Sequence, residues 1–163
     1  MVSDHFSDGT VTLREVRSAD LPILFEHQRD TEANRLADFP PRDRDAFMAH
    51  WQKILLNPDV VARAIWVGDR LVGNIGAFDQ HDRRLVGYWI DRAWWGRGIA
   101  TRALNLLLEE ETTRQLFAIV AGHNLPSTRV LEKCGFRRIP TDDEINGVPG
   151  LEPSERVYRL DRG

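Results

Sequence analysis

Residues 84–122 constrain the fold of this 163-residue chain more than any other stretch. RLVGYWID (84–91) reads as a strand and runs into a turn with glycines at 96 and 98. A helical pattern over about 98–111 follows at once: Ile99, Ala100, Ala103, Leu104, Leu107 and Leu108 recur at three- and four-residue steps and share one face. LFAIVAG (116–122) is then an unbroken apolar run, the pattern of a strand covered on both sides. A strand, a helix that must bury one stripe, and a second strand with no polar face make a βαβ crossover.

The segments before it supply the rest of a sheet. Residues 10–17 alternate Val11, Leu13 and Glu15 against Thr10, Thr12 and Arg14, which predicts a strand. Ser18 stands where an N-cap belongs, ahead of a helix over 19–29 with Leu21, Leu24, Phe25 and Gln28 on one face and Pro22 in the first turn. Residues 30–42, polar and carrying Pro40-Pro41, read as a loop. A second helix over 43–56 presents Phe47, Trp51, Ile54 and Leu55, and Asn57-Pro58-Asp59 ends it. ARAIWV (62–67), a Gly68-Asp69 turn and RLVGNIGAF (70–78) predict a hairpin, which a turn over Asp79–Arg83 joins to 84–91. After the crossover come a short helix opened by Ser127 (127–133) and ended by Gly135, then strands at 136–139 and 155–160. Between those strands lies a long loop, 140–154, with Asp142, Asp143, Glu144 and Glu152 and no Lys or Arg. The expected fold class is mixed α/β (α+β, with a mixed sheet): an antiparallel meander feeding one βαβ crossover, in a single domain over 1–163.

Composition narrows the function. With 22 basic against 25 acidic residues the net charge is −3, which argues against nucleic acid as a partner. Trp51, Trp66, Trp89, Trp94 and Trp95 include an adjacent pair that could stack on bases, but no basic stripe accompanies them. Trp66 and Trp89 read as core, and Trp94 and Trp95 as walls beside the glycine turn. The single Cys134 excludes an internal disulfide framework, reads as a buried structural residue, and suits a reducing cytoplasm. The five histidines are scattered without metal-ligand spacing, so no metal is expected. No apolar run is long enough to span a membrane, and the polar start does not read as a leader peptide. Glu109 to Glu111 read as a solvated face at a helix end.

Chemistry concentrates at the strand-to-helix turn. A glycine-rich entry lets several backbone N–H groups converge where the helix N-terminus carries about half a positive charge. Arg92, Arg97 and Arg102 add charge with only Asp91 opposing, so the turn suits a phosphate or pyrophosphate; a tight turn with solvated arginines is the alternative. GxGxxG and GxxxxGK[ST] are both absent. Asn124, after the apolar run, sits at the carboxyl end of a central strand, where ligands of open α/β sheets bind, and it equally suits a helix cap.

WWGRGIATRA (94–103), followed by NLPSTRVLEKCGF (124–136), resembles the GNAT superfamily of acyl-CoA N-acyltransferases, and within it the ribosomal-protein N-terminal acetyltransferase branch. The resemblance follows the order of elements over nearly the whole chain. It implies a GNAT-like N-acetyltransferase that uses acetyl-CoA as co-substrate and an amine as acceptor. It implies the pyrophosphate on the backbone of Trp95, Gly96, Arg97, Gly98, Ile99, Ala100 and Thr101. The pantetheine arm would pair with Ile90 to Arg92, a backbone N–H near Ile90 would hold the thioester oxygen, and Asn124 would contact the arm. The amine would attack directly, without an acyl-enzyme.

Many relatives protonate the leaving thiolate with a tyrosine at the position of Leu131 and carry a glutamate base at that of Leu85. In the branch named, a serine at the position of Ser127 takes the first role, so Ser127 is the catalytic candidate. No base transfers by motif. Asp91 and His123 lie at strand ends and could act through water, but each reads first as a turn residue. An α-amine, titrating near ~7.7–8.0 against ~10.4 for lysine, needs less help to lose its proton, which favours an α-amino acceptor. The acidic loop 140–154 would draw such a cation, or is simply solvated. The losses at Leu85 and Leu131 keep open a catalytically silent acyl-CoA-binding sensor. A free sheet edge leaves room for a homodimer.

Overall fold

The computed structural model describes residues 10–80, 82–139 and 155–161. Strands β1 (Val11–Glu15), β2 (Val61–Val67), β3 (Arg70–Gln80) and β4 (Arg83–Ile90) pair antiparallel in sequence order. β4 then pairs in parallel with β5 (Leu116–Ala121), the strand of the apolar run. β7 (Glu155–Leu160) lies antiparallel to β5, and β6 (Arg137–Arg138) closes the seven-stranded sheet in the order β1-β2-β3-β4-β5-β7-β6. The expected meander and crossover are both present.

Helices cover both faces. α1 (Leu21–Gln28) and α3 (Arg44–Leu56) lay Leu24, Phe25, Phe47 and Trp51 against Ala64 and Leu71. α4 (Ile99–Glu110), the crossover helix, lays Ile99, Ala103, Leu104 and Leu107 against Ile65, Val72, Ile75, Val86 and Leu116 on the other. Each Val, Leu, Ile or Phe among them contributes about 1.5–3 kcal/mol on leaving water. α5 (Leu125–Lys133) completes that core through Leu131. β3 and β4 pack so closely that a Cβ on Gly73 would stand 2.2 Å from the Trp89 carbonyl oxygen.

The register between β4 and β5 places the site. Only Arg84↔Leu116 and Leu85↔Phe117 pair; beyond them the parallel ladder stops and a gap opens at the carboxyl ends. In the antiparallel ladder, Asp91 N–H donates to Val72 O at 2.8 Å. Alternation then turns the backbone groups of Ile90 and Tyr88 away from β3, toward that gap.

Several local expectations are corrected. Residues 30–42 are not all loop: α2 (Thr31–Ala37) forms there, capped by Asp30, whose carboxylate accepts the Ala33 N–H at 2.8 Å, and stopped by Asp38 at φ 53°. Ser18 does not cap α1; residues 18–20 make one 3-10 turn, and Asp20 accepts the Arg17 N–H at 2.8 Å instead. β3 extends to Gln80 and β4 begins at Arg83, so the turn is shorter than expected. α5 starts at Leu125, with Asn124 rather than Ser127 at its head. Glu109 to Glu111 are not one solvated face: Glu110 meets Arg63 at 2.8 Å, and Glu111, 6% exposed, meets Arg84 at 2.8 Å. The acidic loop 140–154 lies outside the described residues.

Candidate functional site

A cleft of about 470 Å³ occupies the gap where β4 and β5 part. Its walls are the end of β4, the turn into α4, one side of α5 along its length, and α2, which contributes Ala33, Leu36 and Ala37. Ile90, Trp95, Gly96, Gly98, Ile99, Ala100, Thr101, Asn124 and Ser127 all line it.

The turn leaves the start of α4 uncapped. Gly98 is the N-cap of α4 at φ 74°, Gly96 sits at φ 77°, and no side chain caps the helix. The first helical bond runs from Arg102 N–H to Gly98 O at 3.2 Å, so the N–H groups of Ile99, Ala100 and Thr101 have no acceptor within the helix. A Cβ on Gly96 would meet nothing within 4 Å, and one on Gly98 only Arg102 Nη2 at 3.9 Å. The glycines therefore supply a left-handed backbone and open space rather than close packing. A phosphate fits that cradle.

The arginines of the turn are engaged elsewhere. Arg92 donates to Asp30 at 3.0 Å and Arg97 stacks 4.6 Å over Trp94, and neither lines the cleft. Arg102 Nη2 donates to Arg97 O at 3.1 Å, bracing the turn. The cations that do line the cleft are Arg129 and Lys133, one helical turn apart on α5, a spacing visible in the sequence but not picked out there.

Trp95 Nε1 donates to Ile90 O at 3.0 Å, joining the turn to the strand end and leaving the Ile90 N–H facing the gap. Asn124 Oδ1 accepts the Ser127 N–H at 3.3 Å, so this residue caps α5 while lining the cleft. Ser127 Oγ lies 2.7 Å from Tyr88 Oη. Tyr88 went unnoticed in the sequence because only its reach across the gap gives it meaning. Burial pushes its hydroxyl pKa up to about 12, against the opposing bond to Ser127. Trp89, expected in the core, lines the cleft and donates from Nε1 to His27 O at 3.1 Å.

Leu85 and Leu131 are buried core residues, so no polar group is missing from an empty slot at either position. Asp91 and His123 do not line the cleft. Asp91 accepts the Ala93 N–H and lies 3.8 Å from buried His27; His123 Nε2 is 3.0 Å from Arg35 O. Cys134 is half-buried, donates to Thr101 O at 3.6 Å, and has its thiol pKa raised by burial, which suits a brace between α5 and α4 rather than a nucleophile. Among the described residues no carboxylate lines the cleft, no group of three potential metal ligands occurs, and no helix is long and apolar enough to cross a membrane.

The sequence model of the acetyltransferase (GNAT) domain family matches residues 10–137. The chain is 35% identical over 91 residues to "Probable N-acetyltransferase YjcK" of Bacillus subtilis (strain 168), covering 49% of this chain and 50% of that one. It thus spans about half the length of that curated relative. A solved acetyltransferase from Thermus thermophilus superposes with a TM-score of 0.75 at 21% identity, covering 93% and 97% of the two chains. RimL, a ribosomal L7/L12 alpha-N-protein acetyltransferase solved with coenzyme A, superposes with a TM-score of 0.75 at 18% identity, covering 94% of each chain.

Proposed function

The chain belongs to the GNAT acetyltransferase family, and on that premise we propose that it is an N-acetyltransferase moving an acetyl group from acetyl-CoA to a primary amine by direct attack. One observation carries the reading: an uncapped helix N-terminus with open glycine space runs without a break into the gap of a splayed sheet that ends at a polar hydroxyl. The coenzyme would supply an activated acyl thioester. The N–H groups of Ile99, Ala100 and Thr101 would hold its pyrophosphate, with Arg129 and Lys133 adding charge. Its arm would lie along β4, beside Asn124. The Ile90 N–H would bind the carbonyl oxygen as negative charge grows there. Ser127 Oγ would give its proton to the leaving sulfur and take the one that the amine nitrogen sheds.

The acceptor enters, on this reading, from the side of α2, Trp89 and Trp94. A cleft lined by no described carboxylate suits an amine that is already partly neutral near pH 7. An α-amine fits that condition better than a lysine side chain. RimL, an alpha-N-protein acetyltransferase of the same fold, is consistent with that choice. We read the setting as the cytoplasm, the chain as one GNAT-like domain, and a homodimer through a free sheet edge as its assembly.

The test is thiol release from acetyl-CoA with unblocked peptides, lysine peptides, polyamines and aminoglycosides, run beside calorimetric CoA binding. Fastest release with unblocked peptides is expected. Faster turnover of lysine peptides or polyamines would sink the α-amine assignment. Tight CoA binding without release on any amine would favour a silent acyl-CoA sensor.

A further inference from the structure

We infer that Tyr88 is a positioning residue for the leaving-group proton, holding the Ser127 hydroxyl so that its hydrogen points into the cleft. This rests on the acetyl-transfer reading above. Tyr88 stands on β4, two residues before Ile90 and on the same strand face, while Ser127 stands in the first turn of α5. The two hydroxyls meet across the gap at 2.7 Å.

Donor accounting makes the pairing matter. Each hydroxyl has one hydrogen to give. Tyr88 Oη lies 2.7 Å from Ser127 Oγ and 3.3 Å from the Ser127 carbonyl oxygen. Were Tyr88 to donate to the carbonyl, Ser127 would donate back to Tyr88, and its hydrogen would be lost to the cleft. The chemistry of the pair favours the opposite arrangement: a phenol is more acidic than an aliphatic hydroxyl and so the stronger donor, and with Tyr88 donating to Ser127 Oγ the serine hydrogen is free to meet sulfur. Burial, which pushes the Tyr88 hydroxyl pKa up to about 12, keeps its proton in place near neutral pH. In the transfer step the N–C bond forms and the C–S bond breaks, with its electron pair going to sulfur. Ser127 passes one proton to sulfur and receives one from the amine nitrogen, and Tyr88 keeps its own throughout.

The readout that needs no turnover is the thiol of bound CoA, titrated by its ultraviolet thiolate absorbance. A hydrogen bond from Ser127 favours the thiolate, so losing its alignment in Tyr88→Phe raises the bound thiol pKa by about 0.5–1 unit. CoA affinity, measured by calorimetry, stays within about twofold and reports that the variant is folded. With the fastest amine of the panel, kcat falls about 5–10-fold at unchanged KM for acetyl-CoA. The Tyr88→Phe/Ser127→Ala double variant is no slower than Ser127→Ala alone, because the two residues act as one unit. Additive losses, or a bound thiol that titrates as in the wild type, overturn the inference. A wild type that binds CoA but releases no thiol overturns the transfer reading and this role with it. A wild type that turns over beside an unaltered Tyr88→Phe overturns the Tyr88 inference alone.

Discussion

Gly98 does two things that no other residue can do together: it adopts φ 74° without strain and leaves the space beside the α4 N-terminus open. Gly98→Glu adds about 1–2 kcal/mol of backbone strain and a carboxylate at the proposed phosphate site. We expect calorimetric CoA binding to fall below detection while the melting transition persists; unchanged affinity in the folded variant would refute the cradle. His27 is a second informative residue. Burial pushes its imidazole below the ordinary 6.5, with Asp91 at 3.8 Å pulling the other way. A depressed folded pKa means that the unfolded chain takes up the proton first. Stability is therefore full above pH 6.5 and declines as pH falls from 6.5 toward the lower folded value. His27→Gln should flatten that part of a urea-midpoint profile; an unchanged slope would remove His27 as its source. Both residues are visible in the sequence, but only Gly98 carries a local signature there, a glycine between a strand end and an amphipathic run.

At the scale of elements, α2 is where composition misled. Thr31–Ala37 offers only Ala33, Leu36 and Ala37 as an apolar stripe, and Pro40-Pro41 follows close behind. The signal present was Asp30 three residues before Ala33, an N-cap spacing. What holds the helix over the cleft comes from far away in the chain: Arg92 to Asp30 at 3.0 Å, and His123 to the Arg35 carbonyl at 3.0 Å. Asp30→Ala removes both the cap and the Arg92 partner. The cap is worth about 1 kcal/mol, and the half-exposed ion pair adds little. On the proposed division of the cleft, with the acceptor on the side of α2 and the phosphates at α4, the acceptor KM should rise severalfold with CoA affinity unchanged. Steady-state kinetics beside calorimetry would show it, and an equal loss in both would contradict this division of the cleft. α4, by contrast, was legible almost to the residue, because its burial stripe repeats on its own period.

Across the whole molecule, one parallel junction is closed at one end and open at the other. At the closed end Arg84 of β4 meets Glu111, just past α4, at 2.8 Å, and also donates to Asp59 O. Burial raises the Glu111 pKa, but bonds from Thr113 and Arg84 outweigh it and hold the carboxyl below its ordinary 4.5. Its stabilisation is present above pH 4.5 and is lost as pH falls from there toward the depressed folded value. Glu111→Gln leaves partly buried Arg84 with only the exposed Asp79 carboxylate, 3.3 Å away, and should cost about 1–2 kcal/mol at pH 7, with a shallower acid limb. Chemical denaturation at pH 7 and pH 4 tests both, and a loss under half of that would mean that water already screens the pair.

What could be read along the chain was whatever repeats over neighbouring residues. The alternation of the strands, the stripe of α4, the apolar run of β5 and the glycines of the turn all express local backbone geometry and the need to bury one face. Those features already specified an α/β sheet with a glycine turn opening an uncapped helix at its heart. What folding alone decided is which distant groups meet. Tyr88 reaches Ser127 across 39 residues, Arg92 turns to Asp30 instead of a phosphate, and Glu111 leaves the solvated face to pair with Arg84. The cause is the parallel β4–β5 register, which ends after two pairs and opens a gap that neither strand's sequence announces. A parallel ladder joins strands through a crossover, so its register is set by how the intervening helix packs, and that packing exists only in three dimensions.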